Sequence, residues 1–155
     1  MFKGTLELIC IAGDKGEPLR TVPEARAVEG KGLEGDRYFD GRGHWSSHPG
    51  VGREVTLVEM EALEALKREA EIELAPEAAR RNLVTRGVPL NHLVGRKFRV
   101  GEVVLRGLRL CEPCQYLDGI TQASLRAPLA HRGGLRAIIV KGGVLRAGDV
   151  IEEVE

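Results

Sequence analysis

The sequence predicts a mainly β protein, either a small barrel or a sandwich. Its 155 residues include 20 glycines, spread from Gly4 to Gly148, and the segments between them are short and rich in Val, Ile and Leu. Many short strands joined by tight turns are typical of both architectures. The length fits one ordinary domain and leaves little room for a second core, so we expect a single domain over residues 1–155.

The N-terminal residues alternate between apolar and polar, which predicts a first strand with one inward face. The side chains expected on that face are Phe2, Leu6, Leu8 and Cys10. Further strands are predicted at Arg26–Glu29 and Glu54–Val58. The segment Gly30–Gly52 between them holds seven glycines. A loop of this length is unusual as a simple connection between strands in so small a domain, and we expect it to be a functional loop.

One clear helix is predicted at Glu59–Glu71. Thr56 and Glu59 have the spacing of a capping box, in which two side chains bind the free N–H groups of a helix start. The apolar face expected for this helix is Met60, Leu63, Leu66 and Ala70. Pro76 opens a short second helix, Glu77–Arg81, because its missing N–H is harmless at a first-turn position. A third brief helix is predicted at Gln122–Leu129.

The rest of the chain reads as short strands separated by glycines. These strands are predicted at Asn82–Thr85, Lys97–Val100, Glu102–Arg106, Leu135–Lys141, Val144–Arg146 and Val150–Val154. The pair Gly142-Gly143 stands between two of them, which predicts that Leu135–Lys141 and Val144–Arg146 form a hairpin.

The charge balance argues against a nucleic-acid partner. Lys and Arg total 23, and Asp and Glu also total 23, so the net charge is zero, and only 4% of residues are aromatic. A basic surface and stacking rings are the usual means of binding nucleic acid. The longest apolar runs, Leu8–Ala12 and Ala137–Val140, are too short to cross a bilayer, and no cleavable signal is apparent. We therefore expect a cytoplasmic protein without a membrane partner.

Three cysteines without an export signal argue against a disulfide framework. Cys111 and Cys114 form a Cys-Glu-Pro-Cys step, for which three functional interpretations remain open besides simple packing. The step could be half of a zinc site completed by His44 and His48, a dithiol redox centre, or a pair of which one cysteine is functional. Cys10, on the inward face of a strand, is expected to fill the core.

Two basic motifs are candidate anion sites. Arg80 and Arg81 directly precede Asn82, and a guanidinium beside a carboxamide suits a phosphate or a polar heterocycle. The alternative is a solvated helix end. Asp36-Arg37 is either a loop ion pair or an anion site covered by its loop. The other two histidines are expected at the surface or in turns.

Taken in order, several segments resemble the MOSC domain, the domain named from the C-terminal part of molybdenum cofactor sulfurases. They are Gly32–Tyr38, Arg80–Leu83 with Gly87 and Leu90, Gly95–Phe98 with Gly101, Cys111–Cys114, and Gly148–Asp149. Their order and spacing resemble a small stand-alone bacterial member of the family.

The resemblance implies a small β-barrel of the pyruvate-kinase type with a few peripheral α-helices, and a pterin-based molybdenum cofactor (molybdopterin) as ligand. It gives the functional thiol to Cys114, which coordinates molybdenum in amidoxime-reducing relatives and carries a persulfide in cofactor sulfurases. The family's Asp-Arg motif falls on Asp36 and Arg37, which would put Arg37 near the cofactor's phosphate. Its Arg-x-Asn motif falls on Arg80 and Asn82, which would contact the cofactor's polar groups.

Two functions follow as expectations from the resemblance. The first is a cofactor-dependent reductase of N-hydroxylated small molecules, with Cys114 as catalytic metal ligand and electrons from a separate donor. The second is a sulfur carrier that uses a Cys114 persulfide supplied by a separate pyridoxal-phosphate-dependent cysteine desulfurase. Separate donors are expected because the chain has neither a four-cysteine iron–sulfur motif nor a fused desulfurase domain. A zinc-structured domain is the third interpretation.

Overall fold

A computed structural model describes residues 2–14, 16–39, 54–111 and 128–154, and it confirms the mainly β fold class. The strands are β1 (Lys3–Ile11), β2 (Arg20–Val22), β3 (Glu24–Val28), β4 (Gly32–Leu33), β5 (Val55–Glu59), β6 (Leu83–Arg86), β7 (Lys97–Val100), β8 (Val103–Leu110), β9 (Leu135–Lys141), β10 (Gly143–Arg146) and β11 (Val150–Glu153). The helical elements are α1 (Met60–Ala70) and two 3-10 turns, Pro76–Ala79 and Leu90–Leu93. Among these elements no helix is both long and apolar enough to cross a membrane.

Seven of the described strands close into a barrel, in the order β1, β11, β7, β8, β9, β5, β6 and back to β1. The strand β2 extends the sheet beyond β1, while β10, β3 and β4 form a second, three-stranded sheet. Within the barrel, only β5 and β6 run parallel. Parallel neighbours need a crossover, and α1 is part of the segment that provides it. Closure removes the exposed sheet edges that would otherwise attract other chains.

A bulge in β1 divides its side chains between two cores. The pairing of β1 with β6 shifts register between Leu6 and Leu8. Because a shift of one residue moves every later side chain to the other face, Leu6 and Ile9 lie in the barrel interior. Leu8 and Cys10 instead pack in a second cluster with residues of α1. The prediction that Leu6, Leu8 and Cys10 share one face is therefore wrong.

The main helix forms as predicted, but not its capping box. Helix α1 starts after Glu59, which makes no side-chain capping hydrogen bond, and Thr56 uses its hydroxyl on Asn82 instead. Leu63 and Leu66 are buried as predicted. The predicted helix after Pro76 is a short 3-10 turn, with the proline at the expected first position.

The predicted hairpin of β9 and β10 does not form. Strand β9 pairs with β8 and β5, whereas β10 pairs with β3 in the second sheet. A Cβ on Gly142 would lie 2.6 Å from the carbonyl oxygen of Ala27, so only glycine allows this approach to β3. The two glycines thus carry the chain from one sheet to the other.

Two of the remaining predicted strands are found with the predicted bounds. They are Lys97–Val100 and Leu135–Lys141. The predicted strand at Glu102–Arg106 is longer, ending at Leu110, because β8 pairs with both β7 and β9. The glycine-rich loop after residue 39 and the predicted helix up to residue 127 lie outside the described residues.

Candidate functional site

A row of paired residues crosses five strands of the barrel. From strand to strand the row consists of Ile9, Leu83, Leu57, Leu135 and Leu110. Strands β1 and β8 finish close to this row, and β6 and β9 begin at it. Strands β1 and β8 run in opposite directions, so the residues just outside these strand ends flank the row on both of its sides. We call the surroundings of this row the site region.

Asp36 and Arg37 form a buried ion pair that is fixed to the end of β1. The Asp36 Oδ1 atom accepts hydrogen bonds from the backbone N–H of Ala12 at 3.1 Å and from Arg37 Nη1 at 3.0 Å. Asp36 Oδ2 accepts the N–H of Tyr38 at 3.3 Å. The Arg37 guanidinium also lies over the Tyr38 ring, 4.7 Å from its centroid. The sequence left open a loop ion pair or an anion site, and the geometry is that of a buried, oriented cation.

Arg80 is buried as well. It ends the 3-10 turn Pro76–Ala79 in a left-handed conformation, with φ of 60°. Its Nη1 atom donates to the carbonyl oxygen of Glu17 at 2.7 Å, and the residue is only 5% exposed. The neighbouring pocket, of about 310 Å³, is lined by Gly16, Pro18, Leu19, Ala75, Glu77, Ala78 and Arg80. Burial excludes the solvated helix end as the setting of Arg80.

The amide of Asn82 is engaged inside the fold. Its Oδ1 atom accepts hydrogen bonds from Thr56 N at 3.1 Å and Thr56 Oγ1 at 3.3 Å. One amide N–H donates to the carbonyl oxygen of Cys10 at 3.1 Å, and Cys10 N donates to the Asn82 carbonyl oxygen at 2.7 Å. Asn82 therefore fastens β1, β5 and the start of β6 to one another.

Arg81 has a role that sequence reasoning missed. Its Nε atom donates to the carbonyl oxygen of Gly133 at 2.8 Å, and its Nη2 donates to that of Cys111 at 3.1 Å. The Cys111 N–H binds the Gly134 carbonyl oxygen at 2.7 Å. Arg81 thus joins the chain leaving β8 to the chain entering β9. The sequence signal that could have indicated this role is the pair Gly133-Gly134 before an apolar strand. Two glycines at such a position indicate that another part of the chain approaches the main chain closely.

The described cysteines are buried free thiols. Burial, with a smaller contribution from the charge of Glu77, raises the pKa of the Cys10 thiol to about 11, although a hydrogen bond with Thr21 opposes this. Cys10 is therefore a neutral packing residue, as expected. Within the described ranges, no group of three or more His, Cys, Asp and Glu side chains could hold a metal ion. Cys114, His44 and His48 lie outside those ranges.

The predicted site residues that the structure describes converge on one stretch of main chain. Asp36 binds Ala12, Arg80 binds Glu17, and Asn82 binds Cys10, so all three attach to the end of β1 or the loop after it. Arg37 is held there through Asp36. Guanidinium groups fixed in this way can bind an oxyanion through paired N–H donors.

Solved structures share this fold. The YUAD protein from Bacillus subtilis matches with a TM-score of 0.81 and 17% identity, covering 100% of both chains. YiiM from Geobacillus stearothermophilus matches with a TM-score of 0.76 and 13% identity, over 98% of this chain and 75% of that one. YiiM from Escherichia coli matches with a TM-score of 0.67 and 21% identity, over 100% and 70%. At such identities the likeness shows the fold alone.

Sequence comparison identifies the family. No curated protein sequence matches the chain. The sequence model of the MOSC domain matches residues 45–152, more than half of the chain. Arg80, Asn82 and Cys114 fall inside the matched range, whereas Asp36 and Arg37 precede it. The chain belongs to the MOSC domain family.

Proposed function

We propose that this MOSC protein binds a molybdenum cofactor at the site region and reduces N-hydroxylated compounds, with Cys114 as the metal ligand. The observation that supports this most is a pair of buried guanidinium groups, Arg37 and Arg80, attached to the same stretch of main chain. Guanidinium suits the dianionic phosphate of the cofactor, and a thiolate suits a soft metal ion.

The donors present at Arg37 fit a phosphate. A guanidinium carries five N–H donors, and the described contacts of Arg37 use one nitrogen, Nη1, on Asp36. The remaining donors are oriented by that ion pair and by the Tyr38 ring. In this proposal Arg37 and Arg80 hold the phosphate, and Asp36 positions Arg37. Asn82 fixes the main chain between Arg80 and the start of β6.

The short covalent distance from Cys111 supports a role for Cys114 at the same site region. Cys114 follows Cys111 by three residues, so covalent geometry keeps its Cα within about 11 Å of the Cα of Cys111. The main chain of Cys111 is held by Arg81 and Gly134. The positive charge of Arg81 would favour the thiolate form that metal binding requires.

The proposed reaction is a balanced two-electron reduction. The bound cofactor supplies the electron transfer, and two electrons and two protons convert an N-hydroxylated base to the base and water as the N–O bond breaks. The electrons come from a separate donor protein, because the three cysteines of this chain cannot form a four-cysteine iron–sulfur site. The residues of the chain bind the cofactor's phosphate, hold its metal and orient it.

The activity is tested with protein from a host that makes the cofactor, supplied with a chemical electron donor and an N-hydroxylated amidine. We expect turnover by the wild type and by the matched control Cys111→Ser, and none by Cys114→Ser. Turnover by Cys114→Ser would refute the role of this thiol. A labile sulfur on Cys114, detected by mass without any turnover, would instead establish the sulfur-carrier function.

Cofactor binding is tested separately from turnover. Replacing Arg37 by Met removes the proposed phosphate contact, so we expect the variant to retain less pterin, measured as fluorescence of the oxidised pterin released on denaturation. Arg20→Met, at an exposed position on β2, is the control and should retain the wild-type amount. Equal pterin in both variants would contradict the assignment of Arg37.

A further inference from the structure

A second pocket is not lined by the proposed phosphate-binding residues, although it reaches Gly134, next to the main chain that Arg81 holds. Its volume is about 410 Å³, and it is formed between the start of α1, the 3-10 turn Leu90–Leu93 and the chain before β9. Its charged and titratable lining residues are Glu59, Glu61, Arg68, His92, His131 and Arg132. Asp36, Arg37, Arg80 and Asn82 do not line it.

Two carboxylates dominate one wall of this pocket. Glu59 Oε2 accepts the backbone N–H of Leu90 at 3.2 Å, and Glu61 Oε2 accepts that of Gly87 at 2.8 Å. The second oxygen of Glu61 is buried, and in the described part of the chain no donor reaches it. None of the hydrogen bonds among those residues uses Glu59 Oε1 either. The unpaired Glu61 oxygen is therefore costly where water is excluded, whereas Glu59 Oε1 is not among the buried unpaired atoms and is open to the pocket.

The two arginines of the lining, Arg68 and Arg132, both pair with Glu69. Arg132 binds the Glu69 carboxylate with two nitrogens, at 3.0 and 3.3 Å, and Arg68 Nη2 lies 3.3 Å from the same group. Burial raises the pKa of Glu59, and the negative charge of Glu61 adds to the increase, while the hydrogen bond from Leu90 and the nearby His92 oppose it.

We propose that this pocket binds a small organic cation, an ammonium or amidinium group that donates to Glu59 Oε1. The charge of Glu61 adds attraction, and Ala62, Ala65 and Leu90 offer an apolar surface for the rest of the ligand. Charge-assisted hydrogen bonds to a carboxylate are strong and favour such donors over neutral ones. An organic cation fits better than a bare metal ion, since the described part of the chain provides no cluster of metal ligands.

The test compares benzamidine with its neutral isostere benzamide by titration calorimetry of the purified protein. We expect saturable benzamidine binding, with benzamide and the Glu59→Gln variant each roughly tenfold weaker, as for the loss of a hydrogen bond to a charged group. Glu73→Gln, which changes an exposed carboxylate paired with Lys67, is the matched control and should bind like the wild type. Equal binding of benzamidine and benzamide, undiminished binding by Glu59→Gln, or no binding would each overturn the proposal.

A second measurement uses only the wild type, so it tests the proposal even if the Glu59→Gln variant does not fold. On addition of benzamidine to the wild type, amide NMR shifts should change at Gly87, Leu90 and Asn91, which border the carboxylates. Changes confined to residues around Arg37 and Arg80 would place the ligand elsewhere and refute the site.

Discussion

Asn82 illustrates how one buried amide can serve three strands. Its side-chain oxygen accepts hydrogen bonds from the N–H and hydroxyl of Thr56, and its amide N–H donates to the carbonyl oxygen of Cys10. All of these groups are in the interior. Alanine at this position would leave these groups without partners where water cannot replace the amide. The amide therefore contributes to the site through the strands that carry it.

We predict that Asn82→Ala lowers the free energy of unfolding by roughly 3 kcal/mol, the cost of orphaning several buried polar groups. Asn91→Ala, which removes an exposed amide bound to the His131 carbonyl, should cost less than about 1 kcal/mol. Chemical denaturation of both variants provides the comparison. Equal losses would show that the Asn82 network contributes little.

The Cys10 thiol is predicted to resist alkylation in the folded protein. Its pKa of about 11 lies above the ordinary value, so the thiolate is scarce near pH 8, and the residue is 0% exposed. Mass spectrometry after iodoacetamide treatment should show Cys10 unmodified in native protein and modified after unfolding. Rapid native modification would contradict the assignment of Cys10 to the core.

At the scale of elements, the end of β8 and the start of β9 are held together by main-chain and arginine contacts. These two ends meet where Arg81 binds both Cys111 and Gly133, and where Cys111 binds Gly134. Gly134 adopts φ of 117°, and a Cβ there would lie 2.0 Å from the carbonyl oxygen of Leu57. The meeting of the two ends therefore requires glycine at this residue.

Gly134→Ala should consequently destabilise the protein by roughly 3 kcal/mol or more. Gly148→Ala is the matched control, because Gly148 also has positive φ but a Cβ added there would meet nothing within 4 Å. The control should cost only about 1 kcal/mol, the conformational penalty alone. Thermal unfolding of the two variants separates the steric clash at Gly134 from the backbone strain that both positions share. Similar losses of stability in the two variants would argue against the close approach of Gly134 to Leu57.

The elements also show what local sequence can predict. The bounds of β7 and β9 follow from period-two alternation between glycines, a signal carried by neighbouring residues. The bulge in β1 and the pairing of β10 with β3 depend on partners distant in sequence, which alternation does not reveal. Likewise, the sequence motifs singled out Arg37 and Arg80 as candidate site residues. Only the fold shows that the side chains of Arg81 and Asn82 bind main-chain groups.

At the scale of the whole molecule, the even balance of 23 basic and 23 acidic residues conceals a local concentration of charge. At the site region Arg37 pairs with the buried Asp36, while Arg80 and Arg81 donate to main-chain carbonyl groups. Arg80 and Arg81 are neighbours in the sequence, but Arg37 lies far from them, so only the fold attaches Arg37 and Arg80 to the same stretch of main chain. A closed barrel that holds guanidinium groups in this way would suit the anionic cofactor that we propose as ligand.

The measurement that tests the central claim most directly is the molybdenum and zinc content of protein purified from a host that makes the pterin cofactor. The account predicts nearly one molybdenum per chain in the wild type and in Cys111→Ser, and its loss in Cys114→Ser. Stoichiometric zinc without molybdenum would contradict the account and make the Cys-Glu-Pro-Cys step structural.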